Sequence, residues 1–320
     1  MKAFNHVNAK TLVEASTALG GGKAVLTAGG TDVIGRLKDN ILPTYPETLV
    51  NIKTIPGLDY IKEEGGVLKI GAATRLSEVA GNATVKQKYG ALAQAAGRVA
   101  NPHLREMGTI GGNICQYNRC WYFRKPENRF NCVRKGGDLC YAIGGENRYH
   151  SIFGGLKGCP AVNPSDTAPA LVALNAKMKT NKRVIEAEQF WNLTAVVVGS
   201  TVLAGDEIVT EIQVPTPAAG SKSAFLKFAL RKSIDFPIVN CAVLVNGGAA
   251  RICLNAVGPK PYRATKAEEA IAGKAINEAN AEAAGAAITG DAVVLSGNRW
   301  KVQIAKTMVK RTLLAAAQSA

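Results

Sequence analysis

The residues with the clearest capacity for chemistry are five cysteines that lie within one stretch of 45 residues. They are Cys115, Cys120, Cys132, Cys140 and Cys159. A reducing cytosol disfavours structural disulfides, so a cysteine cluster in an intracellular chain favours binding of a soft metal. The last four are separated by 11, 7 and 18 residues, which is not the compact C-x-x-C spacing of zinc ribbons or bacterial ferredoxins. From spacing alone, scattered buried thiols remain an alternative.

The charge around these cysteines supports the metal interpretation. Residues 119–135 contain six lysines and arginines and one acidic residue, Glu127. An iron–sulfur cluster held by four thiolates is anionic, and neighbouring cations stabilise it. Cys115 is predicted to be a packed thiol, and Cys241 and Cys253 lie in apolar segments and are predicted to be core residues.

Two glycine-rich turns lie upstream of the cysteines. The first is residues 26–33 (LTAGGTDV) and the second is residues 109–113 (TIGGN). Glycine lets backbone N–H groups approach phosphate oxygens closely, and such turns can form anion-binding nests. The first turn lacks both the Gly-Lys-Ser/Thr ending of a P-loop and the full G-x-G-x-x-G pattern. Together the turns predict a pyrophosphate held between two subdomains, with plain tight turns as the alternative.

Other catalytic arrangements are missing from the sequence. It contains no Ser-His-Asp, paired-carboxylate or H-E-x-x-H constellation. His103 precedes the second glycine turn and is a candidate cofactor contact, whereas His6 and His150 are predicted to be ordinary. From the residues alone, the helix at 165–174 is predicted to be capped by Ser165 or Asp166, and Lys227 is predicted to be a solvated charge near the end of a strand.

Composition restricts the class of protein. The 320 residues carry a net charge of +15, but the basic residues are spread along the chain apart from 119–135. This distribution favours an anionic cofactor, substrate or acidic partner over nucleic acid. No apolar run reaches the length of a membrane span, and the first residues do not form a signal peptide. We expect a cytoplasmic protein, with export on a partner's signal left open.

The elements that would position these groups are short. Predicted helices are 11–20, 76–80, 89–100, 165–174, 266–288 and 302–317; predicted strands are 24–28, 48–52, two within 58–70, 208–214, 224–230, 242–246 and 250–257. Residues 101–105 are predicted to form a turn. Residues 115–160 lack periodicity, and a loop of that length usually needs another organiser, which four metal-bound thiolates would provide. Residues 215–222 (PTPAAGSK) are predicted to link to an α+β C-terminal domain.

Taken in order, four segments resemble a known family. Residues 28–32 (AGGTD), 109–113 (TIGGN), 164–171 (PSDTAPAL) and 227–232 (KFALRK) resemble the FAD-binding medium subunit of the molybdenum hydroxylases, the xanthine dehydrogenase and carbon monoxide dehydrogenase superfamily. The resemblance covers nearly the whole chain. It implies an α+β protein with a two-subdomain FAD-binding fold of the vanillyl-alcohol-oxidase (PCMH) type.

The domain boundaries that we expect follow from this resemblance. The FAD-binding domain would be residues 1–215, with subdomains at about 1–55 and 56–215 and the cysteine-rich insertion at about 115–160. Residues 216–320 would form a C-terminal α+β domain of the CO dehydrogenase flavoprotein type.

The resemblance also implies which residues bind FAD. The first turn would cradle the pyrophosphate, and the second would form the opposite wall. Asp166 would hydrogen-bond FAD, Lys227 would approach the isoalloxazine, and Val209 would make an apolar contact. With His103 added, the expected FAD-binding residues are Leu26, Thr27, Ala28, Gly29, Gly30, Thr31, Asp32, Val33, His103, Thr109, Gly111, Gly112, Asn113, Asp166, Val209 and Lys227.

The cysteine stretch resembles one subgroup of that family. Most medium subunits pass from the TIGGN turn to the Ser-Asp helix within about ten residues, whereas here about fifty intervene. This resembles the subgroup of 4-hydroxybenzoyl-CoA reductase and certain bacterial aldehyde oxidoreductases, whose inserted loop binds a [4Fe-4S] cluster. The resemblance implies that Cys120, Cys132, Cys140 and Cys159 bind the cluster.

The resulting hypothesis is an electron-transfer flavoprotein subunit of a heterotrimeric molybdenum hydroxylase. A large molybdopterin-binding subunit would act on the substrate, and a small subunit with two [2Fe-2S] clusters would pass electrons to FAD and on to an external electron acceptor. No residue of this chain is expected to be catalytic. The alternatives are a self-sufficient FAD oxidase and a basic iron–sulfur or zinc protein that binds nucleic acid or senses redox state.

Overall fold

The computed structural model describes residues 1–154, 158–191 and 198–318, which contain three β-sheets and the helices that cover them. The twelve strands are β1 (Asn5–Asn8), β2 (Ala24–Thr27), β3 (Thr48–Asn51), β4 (Ile61–Glu64), β5 (Val67–Gly71), β6 (Lys177–Thr180), β7 (Val184–Glu186), β8 (Val209–Pro215), β9 (Lys222–Phe228), β10 (Val239–Asn246), β11 (Ala249–Asn255) and β12 (Tyr262–Arg263). The eleven α-helices are α1 (Leu12–Gly20), α2 (Val33–Lys38), α3 (Leu76–Gly81), α4 (Ala83–Lys88), α5 (Gly90–Gly97), α6 (Pro102–Met107), α7 (Ile110–Cys115), α8 (Thr167–Ala173), α9 (Thr265–Ile271), α10 (Glu278–Ala287) and α11 (Trp300–Gln318). None of these helices combines the length and the apolarity needed to cross a lipid bilayer.

The first sheet is parallel, with strand order β1-β3-β2. Helix α1 begins where the Thr11 side chain accepts a hydrogen bond from the backbone N–H of Glu14. Its apolar face packs with Val50 and Ile52 in a small core. Helix α2 starts at Val33, immediately after the first glycine turn, so the sheet and this helix fix the turn at both ends.

The second sheet is antiparallel, with order β4-β5-β8-β6-β7. Helices α3, α5, α7 and α8 contribute to the core on its face, which includes Leu92, Ile110, Leu171 and Ile212. The hairpin predicted within 58–70 is confirmed as β4 and β5. The sequence missed β6 and β7 because they are short and carry alternating polar residues.

The third sheet is antiparallel, with order β12-β11-β10-β9, and helices α9–α11 pack against it. The single helix predicted over 266–288 is wrong. The chain leaves the helix after Ile271, because Gly273 adopts a left-handed conformation with φ +68°, and a new helix begins at Glu278.

Two turn predictions near the second glycine segment are also wrong. Residues 101–105, predicted to be a turn, belong largely to α6, which Asn101 caps by accepting from the Leu104 N–H. Residues 109–113 are the start of α7, capped by Thr109. Paired glycines masked this helix because glycine disfavours helix interiors.

The cysteine stretch has little regular structure, as expected. In its described part, between Gln116 and Pro160, the only helical segments are two 3-10 turns, Pro126–Asn128 and Val133–Lys135. We call residues 116–160 the cysteine loop. Aromatic contacts hold it together: Phe130 packs edge-on against Tyr122 and Tyr141.

Candidate functional site

The first glycine turn is held against helix α6 at very close range. A Cβ atom built on Gly29 would lie 1.9 Å from the carbonyl oxygen of Met107, so no larger residue fits there without movement of the backbone. Gly30 has φ +73°, which only glycine adopts readily. These two requirements explain the Gly-Gly pair: the close backbone contact requires Gly29, and the positive φ requires Gly30.

The second glycine segment is the first turn of helix α7. The Thr109 hydroxyl oxygen accepts from the Gly112 N–H at 3.1 Å. A Cβ atom on Gly111 would lie 2.7 Å from the carbonyl oxygen of Ala72. Backbone therefore approaches backbone at both glycine segments, which explains why glycine stands at Gly29 and Gly111.

A cavity of about 420 Å³ lies between the two glycine segments, and we call it the flavin cavity. Fourteen of the residues expected from the sequence line it: Leu26, Thr27, Ala28, Gly29, Gly30, Thr31, Asp32, Val33, Thr109, Gly111, Gly112, Asn113, Asp166 and Val209. Its size falls in the range of cofactor sites, and its walls are mainly apolar with a few polar groups, as such sites require. The glycine cradle and this lining fit a dinucleotide with a pyrophosphate and an aromatic ring system.

Two of the expected residues do not line the cavity. His103 is exposed on helix α6. Lys227 lies behind the wall, where its Nζ donates to the Asp166 carboxylate at 2.7 Å, and both side chains are only 4% exposed. The interpretation of Lys227 as a solvated charge is therefore wrong.

Asp166 stands at the N-terminal end of α8, but its side chain makes no helix-capping bond, contrary to the prediction from the residues alone. Its second oxygen accepts from the Asn240 side-chain amide at 2.8 Å. Burial raises the pKa of Asp166, while Lys227 and Asn240 oppose that rise. The result is a buried ion pair at the edge of the flavin cavity, directly beside the second glycine segment.

The side chain of Asn113 is held by the hydroxyl groups of Ser165 and Thr167. Its side-chain oxygen accepts from the hydroxyls of Ser165 at 2.6 Å and Thr167 at 2.7 Å. The Ser165 hydroxyl oxygen also accepts from the Ala168 N–H, so of the two caps predicted for α8 the Ser165 cap is confirmed and the Asp166 cap is wrong. The PSDT segment was recognisable from the sequence as a helix start, but not as the support for Asn113.

The four cysteines expected to bind a cluster line one small cavity of about 10 Å³, which we call the sulfur cavity. They are Cys120, Cys132, Cys140 and Cys159. Burial raises the pKa of the Cys120 thiol to about 12 and also raises that of Cys140. Buried thiols of this kind become thiolates only when a cation compensates their charge.

Two buried basic residues accompany the sulfur cavity. Arg134 is 2% exposed, and its Nε donates to Cys159 Sγ at 3.3 Å. Lys135 is 5% exposed and lies close enough to Cys132 and Cys120 for their charges to interact. Soft sulfur donors with two buried cations are the donor set that an anionic iron–sulfur cluster needs. Among the described residues, no three His, Cys, Asp or Glu side chains converge closely enough to hold a single metal ion.

His150, predicted to be ordinary, is instead buried against the sulfur cavity. Its Nε2 lies 3.3 Å from Cys120 Sγ, and its Nδ1 is buried without a hydrogen-bond partner. Burial and the nearby charge of Lys301 lower the pKa of His150 to about 4. Cys115, by contrast, lines the flavin cavity, and burial raises the pKa of its thiol to about 12.

A network centred on Asp32 joins the cysteine loop to the flavin cavity. The Asp32 carboxylate accepts from Arg124 Nη2 at 2.7 Å and from the Tyr117 N–H at 3.1 Å. Arg119 Nη2 lies 2.8 Å from the same carboxylate and Arg36 Nε 3.4 Å. Burial opposes ionisation of Asp32, but the three arginines hold its pKa below the ordinary value of 3.8.

A third cavity of about 470 Å³ lies between the other two. It shares Arg119 and Phe236 with the flavin cavity, and Cys120 and His150 with the sulfur cavity. The two candidate cofactor sites are therefore neighbours within one continuous region of the molecule.

The fold and the glycine cradle define a protein that binds a dinucleotide cofactor between two subdomains. Comparison with known proteins identifies that cofactor class. Residues 2–217 match a family model described as the FAD binding domain in molybdopterin dehydrogenase, and residues 224–316 match the CO dehydrogenase flavoprotein C-terminal domain.

Individual relatives agree with these matches. The chain is 31% identical over 279 residues to the aldehyde oxidoreductase FAD-binding subunit PaoB of Escherichia coli, covering 84% of this chain and 86% of the relative. It is 28% identical over 324 residues to the carbon monoxide dehydrogenase medium chain of Hydrogenophaga pseudoflava, covering 98% and 96%. A solved structure of carbon monoxide dehydrogenase from that organism superposes with a TM-score of 0.76 at 28% identity, covering 100% of this chain and 99% of the other.

The chain thus belongs to the family of FAD-binding medium subunits of molybdenum hydroxylases. The expected class of fold, with an FAD-binding domain and a C-terminal domain, is confirmed.

Proposed function

We propose that this chain is the electron-transfer flavoprotein subunit of a molybdenum hydroxylase complex and that it carries a [4Fe-4S] cluster in addition to FAD. The observation that carries the proposal is the placement of four cysteines of the insertion around one cavity, next to the cavity that suits FAD. Electrons would enter from a small subunit with two [2Fe-2S] clusters and leave to an external electron acceptor. A large molybdopterin-binding subunit would perform the substrate chemistry.

FAD supplies the redox chemistry when bound, and the protein supplies position, charge and exclusion of water. The first glycine segment would bring backbone N–H groups to the pyrophosphate. The N–H groups of residues 110–113 already donate within the protein, so the second segment would contribute a wall without bulky side chains. Val209 and Leu26 form part of the apolar wall. The buried Asp166–Lys227 pair is balanced in charge and would fix the position of the wall, whereas Arg119 would place a positive charge at the cavity and favour the reduced, anionic form of a flavin.

The donor set supports a four-iron cluster over a zinc ion. A zinc site requires four donors that converge on one point, whereas a cubane cluster is bound by sulfurs around a larger object. The described residues do not bring three such donors to one point, yet four sulfurs share the sulfur cavity. Because that cavity is small, binding of a cluster would require the cysteine side chains to turn outward. Four cysteines around one cavity support the cluster hypothesis over a zinc-binding nucleic-acid protein.

We propose that the subunit is cytoplasmic, with export on a partner's signal as the alternative. We also propose that the fourteen expected residues that line the flavin cavity bind FAD and that Lys227 supports them by pairing with Asp166. The domain division proposed is 1–215 and 216–320, with the insertion at about 115–160. His103 has no place in this assignment, because its side chain is exposed outside the cavity.

The test is a visible spectrum with quantitation of FAD, iron and sulfide on anaerobically purified protein, with Cys132→Ser and Cys253→Ser as a matched pair. Both cysteines are buried, but Cys253 lies in strand β11, away from the sulfur cavity. We expect one FAD and about four irons per chain, with iron lost in Cys132→Ser and retained in Cys253→Ser. FAD without iron would remove the cluster from the proposal, and protein without FAD would overturn it altogether.

A further inference from the structure

We propose that Arg119 and Arg124 are flavin-site residues supplied by the cysteine loop, so that the affinity for FAD depends on the loop being folded around its cluster. This inference rests on the proposed function. Both arginines lie between Cys115 and Cys132, and both contact the carboxylate of Asp32 in the first glycine turn.

Arg124 connects the turn that carries Cys120 to the flavin cavity by direct hydrogen bonds. Its backbone N–H donates to the carbonyl oxygen of Cys120 at 3.0 Å. Its guanidinium donates to the carbonyl oxygens of Asn118 and Tyr117, both at 2.9 Å, and to Asp32 at 2.7 Å. One side chain thus closes the turn that carries Cys120 and fastens that turn to the flavin cavity.

Arg119 precedes Cys120 and reaches into the flavin cavity itself. Its guanidinium stacks on the Phe236 ring at 4.5 Å and pairs with Asp32 at 2.8 Å. Its Nε is buried and has no hydrogen-bond partner. A buried donor without a partner beside a ligand cavity indicates a group that a bound ligand satisfies.

The charges around Asp32 do not balance. Three guanidinium groups, those of Arg36, Arg119 and Arg124, surround one carboxylate. The excess positive charge lies at the end of the glycine turn, where it complements an anionic pyrophosphate. If the loop came loose, two of the three arginines would leave. The remaining Arg36 would only neutralise Asp32, so the excess positive charge at this site would be lost.

Coupling of this kind is reciprocal, because a cluster that tightens FAD binding is itself retained better when FAD is bound. Its expected size is about tenfold in the FAD dissociation constant, within the usual range for coupled sites. It is a property of contacts between the two sites and needs no movement of the sheets.

The experiment measures the FAD dissociation constant by flavin fluorescence on the anaerobic full-length chain, alongside its iron content. The variants are Arg124→Gln, Arg119→Gln and, as a matched control, Arg129→Gln, which removes an exposed arginine of the same loop. We expect Arg124→Gln and Arg119→Gln to keep their iron and to bind FAD about tenfold more weakly, with no change in Arg129→Gln. Arg119→Gln provides the second variant should Arg124→Gln fail to fold.

A second arm tests the coupling itself by combining each arginine variant with Cys132→Ser. We expect Cys132→Ser to weaken FAD binding about tenfold in the wild-type background. The effect should be much smaller in the Arg124→Gln background, because that variant already lacks the contact between Arg124 and Asp32. Equal FAD affinity in Arg124→Gln and Arg129→Gln would overturn the role of the arginines. Wild-type protein that binds FAD but no iron would overturn the cluster and its coupling together, while the arginine variants would still report on the flavin site.

Discussion

The flavin cavity and the sulfur cavity are built in opposite ways. The flavin cavity has walls of strand ends and helix starts, with backbone pressed against backbone at Gly29 and Gly111. The sulfur cavity is enclosed by a loop whose described part contains only two 3-10 turns. Regular structure satisfies its own hydrogen bonds, whereas the loop buries thiols and basic side chains beside one another, and a cluster would add negative charge among them.

This difference indicates that the FAD site is largely formed without its cofactor, whereas the sulfur site is not. The cradle for FAD is shaped by packing that the polypeptide supplies alone. The sulfur site holds Arg134 and Lys135 buried beside its cysteines, and burial raises the pKa of the Cys120 and Cys140 thiols. We therefore expect changes in the flavin walls to act on stability and FAD binding, and changes at the loop cysteines to act first on iron. Changes at Arg119 and Arg124, which reach the flavin cavity from the loop, are expected to act on FAD binding.

The largest effect is expected at the buried ion pair of the flavin wall. Asp166→Asn leaves the Lys227 ammonium buried without its counter-charge, which costs about 4 kcal/mol in the free energy of unfolding. Urea unfolding followed by circular dichroism measures it, with Asp206→Asn as the control, since Asp206 pairs with Lys182 at the surface. A cost no larger than that of the control would show that this wall is not preorganised.

A smaller effect is expected from filling the glycine cradle. Gly29→Ala places a methyl group against the Met107 carbonyl and costs about 2 kcal/mol through backbone displacement. We expect loss of FAD from the purified protein while iron is retained, which absorbance and iron analysis measure. Gly35→Ala in helix α2 is the control, because nothing lies within 4 Å of its Cβ position. Retention of FAD by Gly29→Ala would contradict a tight cradle.

The smallest effect concerns Asp32, which belongs to both regions. Its pKa is lowered in the folded protein, so its contribution to stability is complete above about pH 5 and is lost as the pH falls through 3.8 and below. Asp32→Asn should therefore cost about 1.5 kcal/mol near neutral pH and progressively less in acid.

Urea midpoints of wild type and Asp32→Asn across this pH range measure the prediction. Asp39→Asn, a change at an exposed carboxylate in the same segment, serves as the control. A difference between wild type and Asp32→Asn that stays constant with pH would show that the arginines do not stabilise the ionised carboxylate.

Much of the flavin site could be predicted from the sequence only through the family resemblance, because the paired glycines alone are explained equally well by plain tight turns. Fourteen of the sixteen expected residues line the cavity. The failures have physical causes: His103 follows a proline that starts a helix, which turns its side chain to solvent, and Lys227 is buried by a partner on a distant segment. Single-sequence patterns carry no information on such long-range pairs.

For the sulfur cavity, less could be predicted from the residues alone than for the flavin cavity. The four cysteines were identified by resemblance to a family, while the irregular spacing alone left them open. His150 and Arg134 could not be recognised, because nothing in the order of the chain brings them beside Cys120 and Cys159. Their contacts depend on loop geometry, which has no periodic signature.

The pairing of strands β5 and β8 has a consequence for how the protein is made. Val67 lies opposite Pro215, about 150 positions later, and the whole cysteine loop falls between them. Strands so far apart in the sequence pair slowly. During synthesis, the edge of β5 that will pair with β8 remains unpaired until β8 has been made. The loop emerges from the ribosome before the sheet that anchors its ends can close. We therefore expect the cysteine site to assemble late during synthesis. Until β8 has been synthesised, its thiols are most exposed to oxidation.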